Sequence, residues 1–107
     1  MNIIDSHVHF WEPQHLRYDW LDEWPALNRP FLPEHLPAAG EGWTLDKLVF
    51  VQANCLEEQG FDEVDWVTTL AKHDARIAGI VAYAPLQLDD HARVFLNRMK
   101  HNRLIKG

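Results

Sequence analysis

Residues 2–11 read NIIDSHVHFW: two isoleucines lead into Asp5, and His7 and His9 follow, separated by one residue. On an extended strand, side chains at i and i+2 share a face, so Asp5, His7 and His9 fall on one side and Ile4, Ser6, Val8 and Phe10 on the other. Two imidazoles that converge on one point suit a divalent cation, zinc or manganese, with neutral histidine nitrogens binding zinc at ~2.0–2.1 Å. Asp5 could then orient a ligand from behind or support the strand end. His-x-His alone is a weak signal. Its position strengthens it, because the inward face at the C-terminal end of a strand is the floor of the active site in a parallel α/β barrel.

The other chemistry-bearing residues carry less. His73 and His101 fall near the expected C-terminal ends of helices, where the helix dipole favours a partly positive imidazole, and His91 falls at an exposed helix start. His15 and His35 lie in a long loop, and nothing in their spacing points to a site. Cys55 stands alone and reads as a small core hydrophobe with no catalytic role.

The elements that must position the histidine pair are legible as apolar runs. NIIDSHVHF, KLVFVQA and RIAGIVAYA read as strands, and the last two have few or no internal charges, as expected of strands covered on both faces of a parallel sheet. Between the second and third runs, GFDEVDWVTTLAKHDA places Phe61, Val64, Val67 and Leu70 or Ala71 at helical spacing, with acidic residues in its first turn. After the third, Asp89 is expected to cap a helix through DHARVFLNRMKHN, with Ala92, Phe95, Leu96 and Met99 on its buried side. RLIKG then reads as a fourth strand beginning, and a complete eight-unit barrel needs about 250 residues. The expectation is therefore an α/β chain that forms the first three β/α units of an incomplete (β/α)8 barrel.

The segment RYDWLDEWPALNRPFLPEHLPAAGEGW behaves differently. Pro25, Pro30, Pro33 and Pro37 prevent long regular structure, and Trp20, Trp24, Phe31 and Trp43 supply large apolar surfaces. It should be a packed loop with one helical turn at PEHL, serving either as a lid or pocket wall or as filling for a gap beneath it.

Composition narrows the class. The chain has 107 residues, 47% of them hydrophobic, and a formal charge of −6 without a Lys/Arg cluster, so it reads as one globular domain whose partner is neither nucleic acid nor an anionic membrane. A small-molecule substrate or another protein fits better. A single cysteine, no basic-then-apolar leader and no apolar run near the ~20 residues of a membrane span lead to the expectation of a cytoplasmic location.

Four pieces in order, IDSHVHFWEP, the YDWL to RPFLPEHL loop, VFVQANCLEEQGFDEVDWV, and IAGIVAYAPL followed by a helix and IKG, cover nearly the whole chain. In these it resembles the amidohydrolase-related (amidohydrolase 2) metal-dependent hydrolases, and among them the sugar-lactonase group with its L-fuconolactone and L-rhamnonolactone hydrolases. The resemblance implies a (β/α)8 barrel with a hydrolytic site at its C-terminal face, residues 1–107 forming a partial barrel domain with a long loop, 12–44, after the first strand. It implies that His7 and His9 are the metal pair of the first strand. Trp11, the aromatic that follows them, Gln52, the glutamine closing the second strand, and Glu58, an acidic residue after it, are by the same resemblance substrate-binding candidates. It also implies that some members do not depend strictly on metal, in which case the histidines contact substrate. The later strands of such enzymes, which bring further histidines and an aspartate expected to act as base, are absent here.

Two further readings compete with the lactonase. One is a decarboxylase or C–C hydrolase on the same barrel, since fold does not select the chemistry. The other is a non-catalytic binding or assembly module. A three-stranded parallel sheet has open edges and an uncovered apolar face, so the isolated chain is expected to be inactive and to meet either copies of itself or the remainder of a barrel.

Overall fold

The apolar runs pair in parallel in a computed structural model that describes residues 1–107. The strands are β1 (Asn2–Val8), β2 (Ala39–Gly40), β3 (Trp43–Val51) and β4 (Ile77–Val81). β3 lies between β1 and β4, parallel to both, with Val8 opposite Phe50 and Phe50 opposite Ile80. Beyond β4 the order continues: Ile105 bridges Ile80 in parallel, Ile80 N–H donates to the Leu104 carbonyl at 2.7 Å, and Lys106 N–H donates to the Ile80 carbonyl at 2.9 Å. RLIKG therefore does enter the sheet as a fourth parallel segment.

Two helices cross over between these strands, α1 (Gly60–His73) and α2 (Asp90–Met99). α1 begins with Asp62 and Glu63 and ends with Lys72 and His73, matching charge to the helix dipole at both ends. Val64 and Val67 of α1 and Phe95 and Met99 of α2 meet Leu48, Phe50, Ile77 and Ile80 in one buried cluster, so both helices cover the same face of the sheet. Val8 and Phe10 join that cluster, and Phe10 stacks on Phe50 with ring centroids 6.0 Å apart. His7 and His9, alternating with them, are left on the opposite, open face. No helix is long and apolar enough to cross a membrane.

The structure corrects several local expectations. β1 ends at Val8, before His9, and its pairing with β3 slips between Ile3 and Ile4 and again between Asp5 and Val8. Strict alternation therefore fails: Ile3 packs on the core and Ile4 is 66% exposed. Asp89 makes no capping hydrogen bond and sits at φ 37°, and Leu96, expected on the buried side of α2, is half exposed. Buried Ala92, Phe95 and Met99 are spaced i, i+3, i+7, a narrow stripe that leaves Leu96 off its flank.

The proline-rich segment is built from 3-10 turns at Asp19–Glu23, Pro25–Leu27 and Pro33–His35, the last being the expected turn at PEHL. Pro25 and Pro33 open their turns, where a missing N–H has no partner to lose. The segment ends in a hairpin between β2 and β3 that turns at Gly42, φ 77°. A side chain at Gly40 would lie 2.2 Å from Trp43 Nε1, so the indole occupies the space that a Cβ would need.

Candidate metal centre

The end of β1 and the residues just after it deliver both imidazoles to one place. His7 Nε2 and His9 Nε2 lie 3.1 Å apart. Two ligands at ~2.05 Å from a tetrahedral ion are separated by about 3.3 Å, so the pair is spaced as two donors to one cation should be. His9 is also oriented from behind, since its Nδ1 lies 2.8 Å from the Val51 carbonyl at the end of β3. A carbonyl can only accept, so the His9 proton sits on Nδ1 and the Nε2 lone pair is directed toward His7. Asp5 hydrogen-bonds to neither ring; its carboxylate accepts the His7 backbone N–H at 3.0 Å and braces the strand end. No third His, Cys, Asp or Glu joins the pair to complete a coordination set.

His9 opens into a cleft of about 380 Å³ whose other walls are Trp11, Trp20, Gln52, Ala53 and Asn54. Trp11 is held by a two-way backbone bridge to Phe31, with N···O distances of 3.1 and 2.9 Å, and its indole donates to the Leu27 carbonyl at 3.0 Å. The long loop is thereby pinned beside the histidines. Trp11 meets Trp20 edge to face, centroids 5.3 Å apart, while Leu16, Tyr18, Leu21 and Ala53 form a second small core beneath. The two uses foreseen for the loop thus coincide, because Trp20 both walls the cleft and packs on that core. Trp24, by contrast, is 59% exposed.

Of the residues singled out from the sequence, the fold brings His7, His9, Trp11 and Gln52 together. Gln52 caps its own loop, its Oε1 accepting the Asn54 N–H at 2.7 Å, which leaves the amide nitrogen as the free donor on the cleft wall. Glu58 is not brought there. It lines a separate cleft of about 400 Å³ with Glu57, Phe61, His91 and Phe95, between the start of α1 and α2. That cleft is the larger, but it holds neither histidine of the pair.

The acid that does reach the end of β3 is Glu63, which the sequence presents only as one of the acidic residues in the first turn of α1. It is fully buried, and its Oε2 accepts the Ala53 N–H at 3.1 Å. Burial pushes its carboxyl up to about 7, against the opposing pull of that hydrogen bond. Its place in the helical pattern, adjacent to Val64 and three and four residues before Trp66 and Val67, was the available signal. Cys55 is pushed up to about 12, first by burial and then by the Glu63 carboxylate, so its thiol stays protonated and unreactive at neutral pH.

Comparison with known proteins finds relatives of the chain. An L-fucono-1,5-lactonase from Burkholderia multivorans is 34% identical over 85 residues, covering 78% of this chain and 27% of the relative. The crystal structure of an amidohydrolase from Burkholderia multivorans with bound zinc superposes with a TM-score of 0.63 at 31% identity, covering 90% of this chain and 33% of that one. Amidohydrolase 2 from Bifidobacterium longum subsp. infantis shares the fold, with a TM-score of 0.63 at 24% identity over 77% of this chain and 32% of its own. No protein-family model matches the chain. These relatives bear out the resemblance to amidohydrolases, a lactonase among them, and the chain spans between a quarter and a third of their lengths.

Proposed function

We propose that this chain is the metal-holding portion of an amidohydrolase-related enzyme that opens a sugar lactone or a similar small cyclic ester. In this reading residues 1–107 are three β/α units and the start of a fourth strand of a (β/α)8 barrel, working in a reducing compartment such as the cytoplasm. The observation that carries it is the convergence of His7 Nε2 and His9 Nε2, 3.1 Å apart, with His9 locked by Val51 into the tautomer a cation needs. The zinc in the Burkholderia amidohydrolase and the lactone named for the Burkholderia lactonase support the choice of cation and of substrate class.

His7 and His9 would hold the ion, zinc or manganese, and the chemistry it supplies when bound is polarisation of the ester carbonyl and acidification of a water. The remaining work of these residues is positioning. Trp11 and Trp20 present aromatic surface to the apolar face of a sugar ring and exclude water from that side. Gln52 offers its amide N–H to a ring hydroxyl or to the ester oxygen. The general base and any further ligands come from strands beyond these residues, so the isolated chain is inactive and needs the remaining sheet to close the site and cover its edges.

The test is a chimera in which this chain replaces the matched segment of the Burkholderia lactonase. Hydrolysis of L-fucono-1,5-lactone is expected from the chimera and is expected to be lost in its His7→Ala and His9→Ala forms. An active chimera indifferent to both substitutions would overturn the proposal.

A further inference from the structure

Glu63 lies in the first turn of α1 with no exposure to solvent, and neither the metal pair nor the cleft lining accounts for it. A carboxyl group is expensive to bury, and a leucine would fill the same space without that cost, so its retention calls for a polar task. Its Oε2 takes the Ala53 N–H at 3.1 Å, while its Oε1 is buried without a partner. On the other side of the same residue, the Ala53 carbonyl accepts the Trp20 indole N–H at 2.9 Å. The N–H and C=O of Ala53 are therefore gripped from opposite elements, a helix and the long loop. Immediately after it Asn54 turns the chain at φ 57°, in the left-handed region that asparagine enters more readily than most non-glycine residues. Gln52, Ala53 and Asn54 together form the wall of the cleft into which His9 opens.

We propose that Glu63 is a positioning residue which, with Trp20, clamps the Ala53 backbone and so sets the pose in which Gln52 and Asn54 face the cleft. The clamp is a statement about this fold; its consequence for a lactone rests on the function proposed above. Glu63 acts through Ala53 and touches neither cation nor substrate.

The test compares Glu63→Gln, which keeps an oxygen acceptor, with Glu63→Leu, which keeps the bulk and loses it. Amide hydrogen exchange is followed residue by residue in the full chain. Ala53 is expected to exchange about tenfold faster in Glu63→Leu than in the wild type, to stay within about twofold in Glu63→Gln, and to leave Phe50 and Val67 unchanged. Trp20→Phe, which releases the other grip, should raise Asn54 exchange similarly and serves as the readout if Glu63→Leu does not fold. Equal acceleration at Phe50, Val67 and Ala53 would make Glu63 a core residue and nothing more, and no change at Ala53 would remove the clamp. In the chimera, Glu63→Leu is expected to raise KM for the lactone about tenfold with kcat little changed, and Glu63→Gln to restore it. A moved Ala53 with an unmoved KM would sink the lactone consequence while leaving the clamp in place.

Discussion

Replacing Glu63 by glutamine should change how stability varies with pH. Burial pushes the carboxyl from 4.5 up to about 7 in the folded chain, so between those values the folded state holds a proton that the unfolded state releases. The sign follows from linkage: the stabilisation is full below pH 4.5, falls as pH rises through about 7, and stays lost above it. The gap between 4.5 and about 7, at ~1.36 kcal/mol per pH unit, amounts to about 3 kcal/mol, a large share of a small domain's stability. Urea unfolding at half-unit steps from pH 5 to pH 8 measures it. With m near ~1–3 kcal/mol/M, the wild-type midpoint should fall on the order of 1–3 M relative to Glu63→Gln. Every other ionisable group is common to both proteins and cancels in the difference. A difference curve flat to within about 0.5 kcal/mol across that range would refute the reasoning, because it would mean that Glu63 is solvated or ionised in the folded state.

Other perturbations have defined outcomes. Phe50, fully buried against Phe10, should cost about 3–5 kcal/mol on replacement by alanine, enough to broaden or abolish a cooperative thermal transition followed by circular dichroism. Gly42→Ala meets open space but must hold φ 77°, so a loss of about 1 kcal/mol is expected in urea titrations from conformation alone. Hydrogen bonds from Arg76 hold the Asp74 carboxyl below its ordinary value of 3.8, and Arg76 also donates to the Pro33 carbonyl at 3.0 Å. The stabilisation from Asp74 is therefore present above pH 3.8 and lost as pH falls below it, and acid titration of Asp74→Asn should lack that component.

The parallel sheet and both helices were legible because long-range burial leaves a one-dimensional trace. KLVFVQA and RIAGIVAYA are covered by helices on one face, the other, expected to be covered as well, lying open, and Val64, Val67, Phe95 and Met99 repeat at helical spacing. What was not legible depended on register and on distant partners. The slips in β1 exchange the roles of Ile3 and Ile4, and no local residue announces them. β2 is only two residues long and exists because Trp43 packs over Gly40. At the site, the i, i+2 rule correctly put His7 and His9 on one face, but the tautomer of His9 is set by Val51, forty-two residues away. Glu58 and Glu63 are both acidic and five residues apart, and only the path of the chain after β3 decides which one turns inward.

Whether His7 and His9 form a metal pair is tested most directly by zinc binding to the 107-residue chain, followed by calorimetry together with long-range 15N spectra of its histidines. Uptake is expected to be 1:1, with perturbation confined to the Nε2 atoms of His7 and His9, His9 Nδ1 still protonated toward Val51, and binding at least ~100-fold weaker in the His7→Ala/His9→Ala double variant. Equal affinity in the double variant, or zinc bound through His9 Nδ1, would contradict the metal pair.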